Sequence, residues 1–474
     1  MPLDPDPYPS DPADLFLRLY ADLSPSSVTD DRVEEWFESM QSFADFVAGA
    51  ALSGGGFDPE QVHDAIDEYP DDPDERRYGY LLGLDRAFGY LHPESDAAAL
   101  AGGLTDLLRR FRTHGRFNAN PKLGALLPRY TVPPRLTLTD PPDWEQKADL
   151  FCNVTRVGPT NWVQLRSARV PRINDVPASA RLEGLTVACV PMCGRDDAVI
   201  EAAPGSQRPA YLVTPRNSQA MRDRIPAVLS MLDATRADVA VLPELTLRKE
   251  LLAHWRRALA APPPAGSRLR LIMAGTGPLE DAPVVGQVLN RGVVLARSGE
   301  ILATQDKRHP FLLTGDQIAK WGLEDDLGPG AHAEPLHVGT SLTVLESGLG
   351  RICILICEDL GRTTSDGLLL AEVGPSHIVA PVLSKPTTPH RWEHSDAKKW
   401  ASAIGSHTIV SNSLIVAEAM QRSGFEPENG PGTALAQSAD GTYEYDYTDD
   451  PADACVFRLA PEGAVAVARI DRDN

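Results

Sequence analysis

Arg351-Ile-Cys-Ile-Leu-Ile-Cys357-Glu358-Asp359-Leu360 is the stretch on which the reading of this chain turns. A run of β-formers and easily buried side chains stops abruptly at a thiol followed by two acids, the pattern of a buried strand that delivers a reactive group at its polar end. Two earlier stretches share the habit. Val239-Ala-Val-Leu-Pro-Glu244 is an apolar strand closing on a carboxylate, and the strand-like Arg291 to Glu300 leads on to Gln305-Asp-Lys307. A glutamate, a lysine and a cysteine so placed can supply a base, an oxyanion donor and a nucleophile.

Working outward from these stretches, the chain after Gly184 alternates between strand and helix. Leu185 to Met192 reads as a strand, Asn217 to Thr235 as a helix with Met221, Ile225, Val228, Leu229 and Leu232 on one face, and Val239 to Leu242 as a strand. A second helix to about Leu259 precedes the strand Leu269 to Ala274. Turns at Ser298-Gly299 and Ser347-Gly348 predict two hairpins, Asn290–Gly299 with Ile301–Gln305 and Ser341–Leu345 with Gly350–Ile356. Strand His377 to Val382, a helix from Glu393 to Gly405, strand Thr408 to Ala417 and a hairpin over Ala454 to Ile470 complete the pattern. Alternating elements interrupted by hairpins indicate a layered α/β domain with mixed strand pairing.

The first 120 residues read differently. Asp11 to Leu23, Asp31 to Leu52, Asp74 to Tyr90 and Ser95 to His114 carry apolar residues at helical steps, with Trp36, Phe37, Met40, Phe43, Phe46 and Val47 the clearest stripe. They predict a small, acidic, mainly helical domain over residues 1–120. Six prolines between Pro121 and Pro142 argue against continuous helix, so residues 121–181 read as an irregular connector, with a short strand near Trp162 to Leu165, and residues 182–474 as the α/β domain.

Bulk properties narrow the function classes. A chain of 474 residues exceeds one comfortable core and implies two domains. The formal charge of −21 argues against a nucleic-acid partner, whose phosphates are bound by Lys and Arg; Arg109, Arg110, Arg112 and Arg116 form a local basic cluster that reads as a solvated helix end. No secretory signal opens the chain and no stretch of about 18 apolar residues spans a membrane, so a cytoplasmic location is expected. Six cysteines in so long a chain read as reduced thiols. The pairs Cys189/Cys193 and Cys353/Cys357 suggest a zinc site only superficially, because four residues of strand span about 13 Å. No metal or cofactor is expected, and Cys353 reads as a buried small hydrophobe.

A catalytic cysteine needs a base within reach in a partly closed pocket. Glu244 at a strand's mouth fits that role, Lys307 would hold the oxyanion, and the backbone N–H of Glu358 would add a second donor. The constellation suits attack on an amide or nitrile carbon, release of ammonia or an amine, and hydrolysis of a thioester on Cys357.

In these motifs the chain resembles the nitrilase, or carbon–nitrogen hydrolase, superfamily. The resemblance rests on Leu242-Pro243-Glu244, on Asn290 leading through Ser298-Gly299-Glu300 to Gln305-Asp306-Lys307, and on Pro329-Gly330 followed by Gly350-Arg351-Ile352 to Cys357-Glu358-Asp359. It runs from about Leu185 to the C-terminus. It implies a Glu–Lys–Cys triad of Glu244, Lys307 and Cys357, a four-layer αββα fold and a homodimer or higher homo-oligomer. It also implies a second glutamate between the lysine and the cysteine; Glu324 fits by interval, with Asp325 beside it, and a solvated loop acid is the alternative. Cys357-Glu358-Asp359 looks most like the glutaminase domain of glutamine-dependent NAD synthetase, so an amidase acting on a small-molecule amide is expected over a nitrile hydrolase.

Arg391 and Trp392 lie in a loop that lines the pocket in this fold and could bind a carboxylate or side group, or Trp392 could simply cap the next helix. His309 could orient Lys307 or serve the loop, while Asp396 and Lys399 read as a local pair. A different class of function is also consistent with the sequence: an oligomerising, nitrilase-like interaction or signalling module that binds a metabolite without turnover, with a protein partner on the N-terminal domain.

Overall fold

A computed structural model describes residues 9–23, 30–53, 57–58, 62, 71–91, 104–129, 151–159, 163–167, 185–203, 208–347, 349–362, 369–389, 391–425, 432–459 and 465–467. The chain divides into two compact units. One comprises Met1–Asn161, Thr364–Ser376 and Ala403–Gly405, the other Trp162–Thr363, His377–Ser402 and Ser406–Asn474.

The first unit contains helices Pro12–Asp22, Asp30–Ser39, Gln41–Leu52, Pro73–Gly89 and Thr105–His114. Two begin as their sequences require: Asp11 accepts hydrogen bonds from the N–H groups of Ala13 and Asp14, Asp72 accepts from that of Asp74, and a proline follows each cap. The stretch read as one helix from Asp31 is two, interrupted at Met40 (φ −90°, ψ 4°). Trp36, Met40, Phe43 and Val47 enter the aromatic core, whereas Phe37 and Phe46, read as part of the same stripe, are exposed. Helices Gln41–Leu52 and Pro73–Gly89 approach closely because Gly83 has no side chain: a Cβ there would stand 2.6 Å from Ala44 O and from Val47 Cβ. The carboxylate of Asp85 accepts from the N–H groups of Cys152, Asn153 and Val154 at 2.9–3.1 Å.

Of the expected connector, Ala125–Pro128 and Val154–Val157 form a two-stranded antiparallel sheet in this unit. Val163–Ser167 belongs to the second unit, where it pairs in parallel with Leu342–Ser347. Residues 92–103, with the start of the expected helix before Leu104, and residues 130–150, 160–162 and 168–184 lie outside the described residues.

The second unit is mixed α/β, with two seven-stranded sheets. The first has the spatial order Ile301–Asp306, Arg291–Ala296, Leu271–Gly277, Val239–Val241, Leu185–Cys189, Cys455–Leu459 and Val465–Val467. Its three middle strands, from Leu271–Gly277 to Leu185–Cys189, run parallel, flanked by the two expected hairpins. The second sheet has the order Tyr443–Asp446, Ala434–Gln437, His407–Asn412, His377–Val382, Gly350–Ile354, Leu342–Ser347 and Val163–Ser167. The two sheets touch where Ser411 Oγ donates to Val241 O at 3.0 Å.

Strands buried on both faces read as continuous apolar runs, which is why Val239–Val241 and His377–Val382 were legible. Helix Gln219–Ala234 starts where Ser218 Oγ accepts from Met221 N–H and buries the face expected, in one core with Trp255 of helix Lys249–Leu259. The strand expected from Thr408 to Ala417 stops at Asn412, and Ile415–Arg422 is a helix. The hairpin of Ala198–Ala202 and Tyr211–Pro215 has no counterpart in the sequence reading.

Among the described residues no helix is long and apolar enough to cross a membrane, and no group of three or more His, Cys, Asp or Glu side chains could hold a metal ion. All six cysteines are free thiols, and all but Cys152 are buried.

Candidate active site

The two sheets each deliver part of the site. Glu244 follows strand Val239–Val241 in a turn braced against the neighbouring strand: Leu245 N–H donates to Thr276 Oγ1 at 3.1 Å and Leu247 N–H to Thr276 O at 2.9 Å. Gly275, at φ 86°, permits this, since a Cβ would stand 2.2 Å from Thr246 Oγ1. Lys307 directly follows strand Ile301–Asp306, and its N–H donates to Asn290 O at 2.9 Å.

From the other sheet, Cys357 ends the Gly350–Ile354 run, which keeps pairing beyond the regular strand through Cys357 N–H to Pro381 O at 3.0 Å. Helix Glu358–Gly361 begins immediately afterwards, so the thiol sits on a sharp strand-to-helix elbow. Cys357 adopts φ 50°, ψ −108°, and Leu245, next to Glu244, adopts φ 56°. Positive φ costs an L-residue of this kind about 1–3 kcal/mol and persists only where the surroundings enforce it.

The side chains converge. Lys307 Nζ lies 2.8 Å from Glu244 Oε1 and 2.6 Å from Glu334 Oε2. Asn290 Nδ2 donates to Glu244 Oε1 at 2.9 Å and to Glu334 Oε1 at 3.2 Å, and Asn290 Oδ1 accepts from Thr276 Oγ1. Leu383 N–H donates to Glu244 Oε2 at 3.0 Å, and Cys357 lines the same cavity as Glu244 and Lys307. Phe311 N–H adds a bond to Glu334 Oε2 at 3.1 Å. All four ionisable groups are buried.

Burial sets the electrostatics. It pushes the Glu244 carboxyl above its ordinary value, against the pull of the Lys307 ammonium. It pushes the Cys357 thiol well above its ordinary value, and the negative charge of Glu244 adds to the effect. For Lys307 burial acts downward, but the two carboxylates outweigh it and hold the ammonium charged well beyond the usual range. The resting site is therefore a protonated thiol beside an ammonium shared by two carboxyl groups. A carboxylate on the wall of the same cavity as the thiol is placed to take its proton as the sulfur attacks.

Glu324, the second acid expected by interval, is exposed at the start of the four-residue helix Glu324–Leu327. The acid on Lys307 is Glu334, which follows strand His332–Ala333 at its pairing with Leu312–Leu313. Glu334 gave one weak signal: a single acid between Ala333 and Pro335-Leu336, past the glycine–proline turn that includes Pro329. Glu358 is half-buried and pairs through its side chain with Arg362 at 2.6 Å; its N–H opens a helix, where no intrahelical acceptor exists.

Arg391 bonds Glu393 Oε2 and Ser384 Oγ, each at 3.3 Å, Trp392 is the first residue of helix Trp392–Ile404, and neither lines the cavity at Cys357. Asp396 and Lys399 pair locally at 2.6 Å. Asp359, not singled out in the sequence, is buried and accepts from the N–H groups of Arg308 and His309 at 2.8–3.1 Å. His309 Nδ1 also bonds it at 2.9 Å, tying the residues after Lys307 to the elbow after Cys357.

The cavity at Cys357 is small, with about 20 Å³ of free space. Ile200 and Val213 of the unforeseen hairpin, Leu245, Leu313, Leu323 and Val416 give it a mainly apolar wall, to which Tyr211 and Trp321 add polar tips.

No protein-family model matches the chain, and no curated protein matches it. Among solved structures it is similar to Nit3 of Saccharomyces cerevisiae, a member of branch 10 of the nitrilase superfamily, with a TM-score of 0.40 and 15% identity over 59% of this chain and 91% of that one. It is similar to a mutant of the Nesterenkonia AN1 amidase from the nitrilase superfamily, with a TM-score of 0.37 and 13% identity over 59% and 92% of the two chains. For the glutamine-dependent NAD+ synthetase of Acinetobacter baumannii the TM-score is 0.36 and the identity 14%, over 60% of this chain but only 48%, about half, of that one.

Proposed function

We propose that this protein is a carbon–nitrogen hydrolase of the nitrilase superfamily that cleaves a small-molecule amide through a thioester on Cys357. The observation that carries the reading is the buried contact of Lys307 with Glu244 and Glu334 beside the Cys357 thiol.

In the reaction so read, Glu244 takes the thiol proton as the sulfur bonds to the amide carbon. The carbonyl π electrons move to oxygen, where the Lys307 ammonium and the Glu358 N–H stabilise the developing charge. Collapse expels the nitrogen, which takes the proton from Glu244 and leaves as ammonia or an amine. Glu244 then removes a proton from water, the hydroxide attacks the thioester, and the thiolate departs and regains a proton. Glu334 and Asn290 hold Lys307 and Glu244 in place, since an ammonium shared by two carboxylates has little freedom to move. A four-layer αββα arrangement, a homo-oligomer and a cytoplasmic setting belong to the same reading; the five buried free thiols accord with a reducing compartment.

The test is ammonia release from short neutral amides, with mass spectrometry of the trapped protein. The reading expects an acyl adduct on Cys357 and its loss, with all turnover, in Cys357→Ala. Metabolite binding with neither adduct nor turnover would instead support the non-catalytic module.

A further inference from the structure

Resting on the reading just given, the cavity also carries information about which amide it takes. Trp321 follows helix Gly315–Lys320, lines the cavity and is only 6% exposed. Its indole Nε1–H is buried and has no hydrogen-bond partner among the described residues. A buried tryptophan N–H ordinarily finds an acceptor. No acceptor on the described wall reaches it, so an occupant of the cavity can supply one.

A second observation concerns charge. Apart from Glu244, Lys307 and Cys357, which the chemistry uses, no charged side chain lines the cavity among the described residues. Arg391, the residue expected to receive a substrate carboxylate, is bonded to Glu393 and Ser384 and is not on the wall. An amino-acid amide such as glutamine would bring an ammonium and a carboxylate into this apolar space, where neither has a partner and both lose their hydration. The glutaminase-like Cys357-Glu358-Asp359 sequence is thus set among walls that do not suit glutamine.

We propose that the site is specific for short-chain, uncharged amides whose acyl group carries an oxygen acceptor, such as a hydroxyl or keto group, received by Trp321 Nε1. The narrow, mainly apolar wall favours a short chain; the unpartnered indole N–H sets the oxygen; the absence of further charged side chains on the wall, among the described residues, sets neutrality.

Lactamide, which has the acceptor, and propionamide, of similar size but without it, test this, together with glutamine, which is larger and zwitterionic. The expected result is a kcat/KM for lactamide about 10-fold or more above that for propionamide, with glutamine about 100-fold below lactamide. In Trp321→Phe the lactamide-to-propionamide ratio should collapse to near one. The same preference should appear in dissociation constants measured by calorimetry on Cys357→Ala, which needs no turnover and no change at Trp321. Equal rates and equal binding for lactamide and propionamide in the wild-type protein, as expected if only water ever meets the indole, would overturn the proposal, as would glutamine emerging as the best substrate. Hydrolysis without any such preference sinks this inference alone. Preferential binding of lactamide with no amide hydrolysed supports it while removing the hydrolase reading.

Discussion

Lys307 Nζ stands 2.6 Å from Glu334 Oε2, closer than to Glu244, and both partners are buried. The cluster of two carboxyl groups and one ammonium makes the lysine a fixed charge, and it makes Glu334 as much a part of the site's geometry as Glu244. Removing one partner of a buried ion pair is costly, about 3–5 kcal/mol, because the remaining charge is left uncompensated.

From that relationship, Glu334→Gln should lower kcat by about 10-fold or more, since the ammonium loses one of its two anchors. KM should change less than kcat. Glu324→Gln, on the exposed helix, should leave both constants within about twofold of wild type. Steady-state kinetics on one amide compare the two; equal effects would remove Glu334 from the assigned role.

In the proposed reaction Glu244 has to be ionised to accept the thiol proton, and burial holds its carboxyl above the ordinary value. The kcat/KM profile should therefore rise with pH through an apparent pKa higher than that of an exposed glutamate. Glu244→Gln should lower kcat by about 10²–10⁴-fold and abolish this rising limb. A limb that survives the substitution assigns the titration to another group.

His377 and His407 stack on adjacent strands with ring centroids 5.5 Å apart. Burial lowers the pKa of His377 to about 3, helped by the proximity of His407, and burial lowers that of His407 to about 4. Below about pH 6.5 the unfolded chain takes up protons that these folded imidazoles refuse, so stability falls as pH drops from about 6.5 towards 4. The loss is at most about 1.4 kcal/mol per pH unit for each histidine. Urea unfolding between pH 7 and 4.5 should show a shallower decline in the double variant His377→Gln/His407→Gln than in wild type; parallel declines would exclude the pair as its source.

In the first unit, Asp85→Ala would strand the N–H groups of Cys152, Asn153 and Val154. A buried unsatisfied donor costs about 1–3 kcal/mol, so a destabilisation of several kcal/mol is expected, read as a lower denaturation midpoint for this unit. Burial raises the Asp85 pKa to about 6, and Asp85→Asn, which keeps one acceptor oxygen, should be milder. An unchanged midpoint in Asp85→Ala would mean that water satisfies the three donors.

The sequence by itself determined the local elements that present the chemistry. Val239–Val241 and Gly350–Ile354 are apolar runs that close on a glutamate and a cysteine, and a strand buried on both faces leaves that mark whatever it packs against, while Lys307 was placed by the strand-like run from Arg291 that leads on to it. Asp11, followed by Pro12, opened a helix in the sequence because a cap is a local hydrogen bond. Glu334, Asp359 and Trp321 left no comparable mark. Their significance lies in contacts with Lys307, the Arg308–His309 backbone and the cavity, across intervals that periodicity does not encode. Only tertiary structure decided them, because Glu244 and Lys307 come from one sheet and Cys357 from the other. Their meeting depends on the two sheets packing together, and the same packing excludes the water that would otherwise set every one of their charges.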